Sequence, residues 1–121
     1  MEGWFKIDRK IVNWEWYSDT ITFRVFFHLL ATANYENKKW KGLSIKRGQV
    51  FSSYQSIIDG IGDFSYSKQN IRTAIKKLRK TGEITVQPTH NGLLITINKY
   101  DFYQFENIKT TDQVTRYATD H

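Results

Sequence analysis

The chain lacks cysteine altogether and contains only one proline and seven glycines among its 121 residues. Without cysteine it can form neither disulfides nor thiolate metal sites, so a reducing intracellular setting is expected. No long apolar run is present either, because the richest stretch, Phe23 to Ala33, is too short to span a bilayer and includes Arg24 and His28. The N-terminus also lacks an apolar run followed by a small-residue cleavage site. These absences predict a soluble, cytoplasmic protein with no membrane partner.

Signatures of catalysis are also missing from the sequence. The three histidines, His28, His90 and His121, are dispersed along the chain, and His28 lies among apolar neighbours. A lone G-x-G at Gly60 to Gly62 lacks the preceding strand and the third glycine of a nucleotide-binding fingerprint. No P-loop, serine elbow or paired metal-ligand spacing occurs. The sequence therefore predicts a protein that is not an enzyme and has no cofactor or metal.

Hydrophobic residues make up 40% of the chain and aromatic residues 16%, which is typical of a sequence that folds. The length suits one domain with a modest core. Beyond residue 108 little remains to be buried. We therefore predict one domain over residues 1–105 and a flexible tail, or the start of a linker, over residues 106–121.

Positive charge is in excess and is concentrated in one segment. The formal net charge is +6. Residues 65–84 carry six cationic side chains against Glu83 alone, a net +5 that leaves about +1 for the rest of the chain. Such a concentration is what a polyanion-binding surface needs, but a lysine-rich helix that is simply solvated has the same composition. The six cations are Lys68, Arg72, Lys76, Lys77, Arg79 and Lys80.

The first half of the chain predicts one long helix followed by a strand. An extended lead-in with a short helical turn precedes the helix, which Ser18 or Asp19 would cap. Its apolar stripe, through FRVFFHLLATAN, is wide enough to form the centre of a small core. Residues 34–42 are predicted as a polar loop. Residues 43–53 are predicted as a short strand that is interrupted at its Arg-Gly pair.

Two further helices are predicted from caps and periodicity. Ser53 would begin the second helix, and Gly62 would end it in the left-handed conformation. Ser67, with Ser65 as the alternative, would begin the third, and Gly82 would end it. The apolar residues of the third helix form one stripe at helical spacing, namely Ile71, Ala74, Ile75 and Leu78.

After the third helix the apolar period changes from helical to alternating. Residues 83–87 and 93–98 are predicted as two strands joined by residues 88–92. The Asn-Gly pair at Asn91 and Gly92 tolerates the positive φ angles of tight turns, which makes it a strong hairpin signal.

This order of elements predicts an α+β winged helix-turn-helix: a three-helix core with a C-terminal β-hairpin wing, preceded by an aromatic N-terminal extension. The third helix is then the recognition helix, because a major groove about 12 Å wide admits one α-helix. Double-stranded DNA is the predicted partner. The base-edge candidates are Gln69, Arg72, Thr73 and Lys76; the phosphate candidates are Ser67, Lys68, Lys77, Lys80 and Lys99; the wing tip comprises Thr89, His90 and Asn91.

Winged helices also serve as protein–protein modules, and the aromatic residues leave that alternative open. The four tryptophans lie outside the helix-turn-helix, and a small domain has limited room to bury them. Exposed, they would form a self-association surface that makes the protein a homo-oligomer, with Trp4, Trp14 and Trp16 as candidates. Buried, they would complete the core.

Several segments resemble the N-terminal winged-helix domain of phage replisome-organiser proteins, the DnaD-like replication initiation proteins of phages and prophages. The resemblance covers about residues 3–104. It is most specific at KRGQ (46–49), RTAIKKLRKTGEIT (72–85) and KYDFYQ (99–104).

This resemblance implies binding of origin DNA and recruitment of the host helicase machinery at the start of phage DNA replication. In such proteins a separate C-terminal region contributes to the contacts with host helicase-loading proteins, so that partner is expected only through a region missing from residues 1–121. The winged-helix domain of the family can also act as an oligomerisation scaffold with weak DNA contact. A third alternative is a transcriptional repressor, which would need the same helix, a defined dimer and a palindromic site.

Overall fold

The computed structural model describes residues 5–101 and contains three α-helices and two small antiparallel sheets, a mixed α+β arrangement. A 3-10 helix at Arg9–Asn13 precedes them. The elements are α1 (Thr20–Thr32), β1 (Lys38–Trp40), β2 (Leu43–Ile45), β3 (Gln49–Ser52), α2 (Tyr54–Ile61), α3 (Lys68–Lys80), β4 (Ile84–Thr89) and β5 (Gly92–Ile97). The predicted tail, residues 106–121, lies outside the described residues, as does the end of the predicted domain.

All three helices begin at the caps that the sequence predicts. The Asp19 side chain accepts a hydrogen bond from the Thr22 N–H at 3.2 Å, and Ser53 caps α2 in the same way. Ser67 caps α3 within a reciprocal pair, because its hydroxyl accepts from the Asn70 N–H at 3.0 Å while Asn70 Oδ1 accepts from the Ser67 N–H at 2.9 Å. Each cap satisfies a backbone donor that the first helical turn leaves without a partner.

Two glycines end α2 and α3 as predicted. Gly62 has φ +85° and Gly82 has φ +81°, the left-handed conformation in which glycine carries no Cβ penalty. The chain after Gly82 turns directly into β4, and Glu83 N–H donates back to the Leu78 carbonyl at 2.9 Å.

The core lies between α1, α3 and the three-stranded sheet. The predicted stripe of α3 is fully inside it: Ile71 and Leu78 have no exposed surface, and Ala74 and Ile75 are at most 3% exposed. Val25 and Leu29 of α1 meet that stripe, and Ile95 of β5 is also fully buried.

The three-stranded sheet has the order β3-β5-β4, with both pairs antiparallel. Its central strand, β5, pairs Ile95 with Val50 on one side and with Val86 on the other. The single proline of the chain, Pro88, lies opposite Leu93 on the outer strand β4, a position that proline tolerates because an outer strand leaves one side without ladder partners.

The predicted polar loop over residues 34–42 is wrong, because residues 38–40 form β1, which pairs with β2 in a separate hairpin. All three β1 residues, two lysines and Trp40, are exposed, so the alternation that marks a half-buried strand is absent. The turn is made by Lys41 at φ +51° and Gly42 at φ +80°, the positive angles of a type I′ turn. The predicted interruption between the two strands is confirmed, since β2 and β3 belong to different sheets.

The β4–β5 hairpin is confirmed, but its predicted turn mechanism is wrong. The loop consists of His90 and Asn91 only, because Thr89 already pairs with Gly92. Neither of these loop residues nor Gly92 has positive φ. Gly92 is needed for space instead: a Cβ there would lie 2.8 Å from the Ser52 carbonyl oxygen and 3.0 Å from the Phe51 ring.

Gly48 lies in the KRGQ segment and close to Tyr100 of the KYDFYQ segment. Both segments carry the family resemblance. Gly48 has φ +83°, and a Cβ there would lie 2.8 Å from Tyr100 Cβ. Beside it, Arg47 Nε donates to Asp101 Oδ1 at 2.7 Å and Nη1 donates to the Tyr35 carbonyl. The KRGQ segment therefore packs against the start of KYDFYQ.

Gly48→Ala is expected to cost more stability than Gly42→Ala, although both residues have nearly the same φ. A side chain at either position meets the left-handed penalty of about 1 kcal/mol. Only at Gly48 does the new methyl also overlap a neighbour, because nothing lies within 4 Å of a Cβ at Gly42. The extra loss should be about 1 kcal/mol or more, measured by urea denaturation. Equal losses would contradict the close contact with Tyr100.

Candidate nucleic-acid interface

The outward side of α3 carries seven exposed side chains on one continuous arc. At 3.6 residues per turn they span about 140° of the helix circumference. Five of them are cationic, and α3 contains no acidic residue. Within residues 5–101, none of these five forms an ion pair with a carboxylate. The seven are Lys68, Gln69, Arg72, Thr73, Lys76, Arg79 and Lys80.

The buried side of α3 fixes the orientation of this arc. Its apolar stripe packs on α1 and α2, so a rotation of the helix would expose aliphatic side chains and bury ammonium groups, both of which are costly. The arc is therefore presented to solvent by the core itself.

Lys77 lies at the edge of the arc and has its own partners. Its Nζ is 2.7 Å from Asp19 Oδ2 and 5.6 Å from the centroid of the Trp16 ring. Burial alone would raise the pKa of Asp19, but the hydrogen bonds from Lys77 and from the Thr22 N–H outweigh it and hold this pKa below its ordinary value. Asp19 is thus ionised at neutral pH and neutralises Lys77. Lys77 therefore stays a predicted phosphate contact whose charge is already balanced by Asp19.

The four base-edge candidates share the exposed arc. Gln69 Nε2 donates to Thr73 Oγ1 at 3.2 Å, a contact between neighbouring turns that holds both polar groups on the same side. Arg72 and Lys76 are exposed beside them. A guanidinium, an amide and a hydroxyl on one face match the hydrogen-bonding groups that base pairs present in the major groove.

The first turn of α3 adds two of the phosphate candidates. Lys68 is exposed. Ser67 is occupied as the cap, but a hydroxyl that accepts from a backbone N–H still has its own proton to donate. Together with the N–H groups at a helix N-terminus, such a donor favours an anion.

Arg79 belongs to the arc, although it is not among the residues predicted above to contact DNA. It is exposed and lies between Lys68 and Arg72 when α3 is viewed along its axis at 100° per residue. The same projection applied to the sequence would have found it.

The DNA-contact candidates of the β4–β5 hairpin differ in whether their side chains are engaged within the fold or exposed to solvent. Thr89 Oγ1 donates to the Gly92 carbonyl at 3.0 Å and accepts from the Asn91 N–H at 3.3 Å, so Thr89 is occupied in shaping the turn. His90 and Asn91 are exposed at the tip, and Lys99 is exposed just after β5. The exposed candidates of the hairpin are therefore one imidazole, one amide and one ammonium group.

Two of the predicted self-association residues are held inside the fold. Trp14 packs against Phe26 with ring centroids 4.9 Å apart, and its Nε1 donates to Glu83 Oε2 at 3.1 Å. Trp16 Nε1 donates to Thr81 Oγ1 at 3.2 Å. Both rings are half-buried and join the N-terminal segment to the end of α3. Trp4 lies outside the described residues.

A different set of aromatic residues forms a partly exposed cluster, which we name the aromatic ridge: Phe5 and Phe23 are half-buried, and Tyr17 and Phe27 are exposed. Their rings form a row of contacts, from Tyr17 to Phe23, Phe23 to Phe27 and Phe27 to Phe5, with neighbouring centroids 5.5–6.1 Å apart. Tyr17 is 47% exposed and Phe27 42% exposed. Sequence periodicity did not separate these residues from the core side of α1, because the apolar stripe there is unusually wide.

The isolated G-x-G at residues 60–62 has a packing role. A Cβ at Gly60 would lie 2.6 Å from the His28 ring, so this glycine lets α2 approach α1. Burial lowers the pKa of His28, which is therefore neutral at pH 7. His121 lies beyond the described residues, and in the described part of the chain no group of three acidic or histidine side chains is placed to hold a metal ion.

No helix among residues 5–101 combines the length and apolar character needed to cross a membrane. Comparison of the chain with known protein families, curated proteins and solved structures finds no match.

Proposed function

We propose that this chain is a winged helix-turn-helix domain that binds duplex DNA through α3 and the β4–β5 hairpin, and that it serves in replication initiation of the phage type. The order α1, β3, α2, α3 and a hairpin that shares a sheet with β3 fits that arrangement. The replication context rests on the resemblance to replisome-organiser proteins.

The observation that carries the proposal is the exposed arc of α3. It holds five cationic side chains without a carboxylate among them. On the opposite side of the same helix the side chains are at most 3% exposed. A solvated surface helix normally mixes both charge signs. An arc of one sign, held rigidly, is suited to the phosphates that flank a major groove.

Within this proposal the residues divide by chemistry. Arg72 can bond guanine and Gln69 adenine, each through two hydrogen bonds. Lys68, Arg79 and Lys80 lie nearer the two edges of the arc, and Arg79 and Lys80 are also in the last turn of α3. These positions are suited to phosphates. His90, Asn91 and Lys99 extend the contact along the backbone beside the groove.

The test is binding of a fluorescently labelled 20-base-pair duplex, followed by anisotropy over a salt series. Four to five phosphate contacts predict a slope of about −4 in a plot of log affinity against log salt concentration. Absence of binding at low salt, or an affinity that does not respond to salt, would contradict the proposal. Several unrelated duplexes distinguish base reading from phosphate contact alone.

The aromatic ridge favours an oligomerisation scaffold as the second candidate function. Two exposed rings, Tyr17 and Phe27, in contact with two half-buried ones form the kind of patch that pairs with a copy of itself. Light scattering distinguishes the two candidates, because a scaffold would be a dimer or larger species without DNA, whereas the DNA-binding proposal requires no such species.

A further inference from the structure

A cleft lies between the β1–β2 hairpin and β3, on the side that faces α1. We name it the hairpin cleft. Its volume is about 340 Å³, close to the lower end of the roughly 300–1,000 Å³ range of small-ligand sites. It is lined by both aromatic and polar side chains, among them Trp40, Phe51, Lys38, His28 and Ser52.

Trp40 gives the hairpin cleft a supported but open aromatic surface. Its ring centroid is 5.5 Å from that of Phe51, with the two planes tilted by 43°, so Phe51 holds the indole in place. The Trp40 side chain is nevertheless 44% exposed. Lys41 Nζ lies over the ring at 4.9 Å from the centroid, a flexible cation at a position where a flat π system would also fit.

Two lysines lie beside this ring. Lys38, which lines the cleft on the same face of β1 as Trp40, and Lys41 are both exposed, and within the described range neither pairs with a carboxylate. Lys41 occupies a left-handed position at φ +51°, where asparagine or glycine would fit the turn better. A lysine with this φ carries a backbone cost of about 1 kcal/mol. The turn therefore does not itself favour a lysine at position 41.

The hairpin cleft borders the tip of the β4–β5 hairpin. A Cβ at Gly92 would lie 2.8 Å from the Ser52 carbonyl oxygen and 3.0 Å from the Phe51 ring. Ser52 and Phe51 both line the cleft. A strand of nucleic acid that leaves the tip at His90 and Asn91 would therefore reach the cleft directly.

We infer that the hairpin cleft binds an unpaired DNA strand, with one base stacked on Trp40 and its flanking phosphates held by Lys38 and Lys41. Aromatic rings beside lysines are the usual means of holding single strands. A base inside a duplex is already stacked on both faces and cannot offer one to Trp40. The inference rests on the proposed duplex-binding function, which it extends to the strand that is unpaired beside the duplex.

The test uses labelled 12-nucleotide oligo-dT and the 20-base-pair duplex with the same set of variants. Trp40→Ala should weaken oligo-dT binding by roughly fivefold or more, because stacking contributes about 1–3 kcal/mol per base. Duplex affinity should change less than twofold. Lys38→Glu with Lys41→Glu should weaken oligo-dT binding as well. Trp40→Phe, which keeps a ring in the hairpin, should retain most of the affinity.

Fluorescence gives a readout that does not depend on the stability of the hairpin. Oligo-dT should quench part of the tryptophan emission of the wild type, and this quenching should be lost in Trp40→Phe while anisotropy still reports binding. The inference is overturned if the wild type does not bind oligo-dT, if the quenching persists in Trp40→Phe, or if Arg72→Glu with Lys76→Glu abolishes oligo-dT binding as fully as duplex binding. Failure of the proposed function itself would appear separately, in the duplex titrations.

Discussion

Arg72→Glu combined with Lys76→Glu is expected to weaken duplex binding by about 100-fold or more, which corresponds to about 2.7 kcal/mol. The two side chains lie at the middle of the α3 arc and are exposed. Their reversal removes two cationic contacts and places carboxylates against phosphates. The slope of log affinity against log salt concentration should become shallower by about 2. Anisotropy titrations of the labelled duplex measure both quantities.

The matched control is Arg9→Glu with Lys10→Glu. It reverses one arginine and one lysine and changes the net charge equally, but both residues are exposed on the 3-10 helix rather than on α3. This control should change duplex affinity by less than about threefold at moderate salt, because neither residue belongs to the α3 arc and exposed charges that do not contact phosphates are largely screened. If both double variants weaken binding alike, net charge alone explains the affinity and the α3 arc has no special role.

Trp16→Ala is expected to lower the free energy of unfolding by about 2 kcal/mol, less than the loss for a fully buried tryptophan because this ring is half-exposed. The substitution removes the hydrogen bond to Thr81 and the ring beneath the Lys77 ammonium. It should leave the molar mass in light scattering unchanged, since the ring faces the fold rather than a partner. Urea denaturation and light scattering on the same samples measure the two effects.

Phe27→Ser is the counterpart from the aromatic ridge. Phe27 is exposed on the outer side of α1, so its loss should change stability by less than about 1 kcal/mol. If the protein is a scaffold, this variant should reduce the mass of the assembled species. If Trp16→Ala instead left stability unchanged and reduced the mass of the assembled species, the prediction that the tryptophans form the self-association surface would be supported.

The features that the sequence predicted correctly are local ones. Asp19, Ser53 and Ser67 cap helices through bonds to residues three positions away, and such bonds depend on spacing alone. Gly62 and Gly82 end helices for a reason that also lies in the adjacent backbone. The apolar stripe of α3 is regular enough to fix which side is buried, and thereby which side is exposed.

The features that were not predicted from the sequence depend on contacts between distant parts of the chain. The partner of Lys77 is Asp19, 58 positions earlier, and Trp14 finds Glu83 at a separation of 69. Gly92 is required by Phe51 and Ser52 across the sheet, which no turn rule contains. The β1 strand was missed because two lysines and an exposed tryptophan carry no alternation, so pairing rather than burial defines it.

Pro88 on the outer strand β4 has a consequence for the protein at high concentration. An outer strand with a complete row of N–H groups can pair with the same strand of another molecule and extend the sheet without limit. Proline has no N–H, and on an outer strand it turns the side without a donor toward solvent. Sheet-to-sheet polymerisation along β4 is therefore blocked near the hairpin tip. Copies of the chain that meet at high concentration therefore lack one of the donors through which their β4 strands would join.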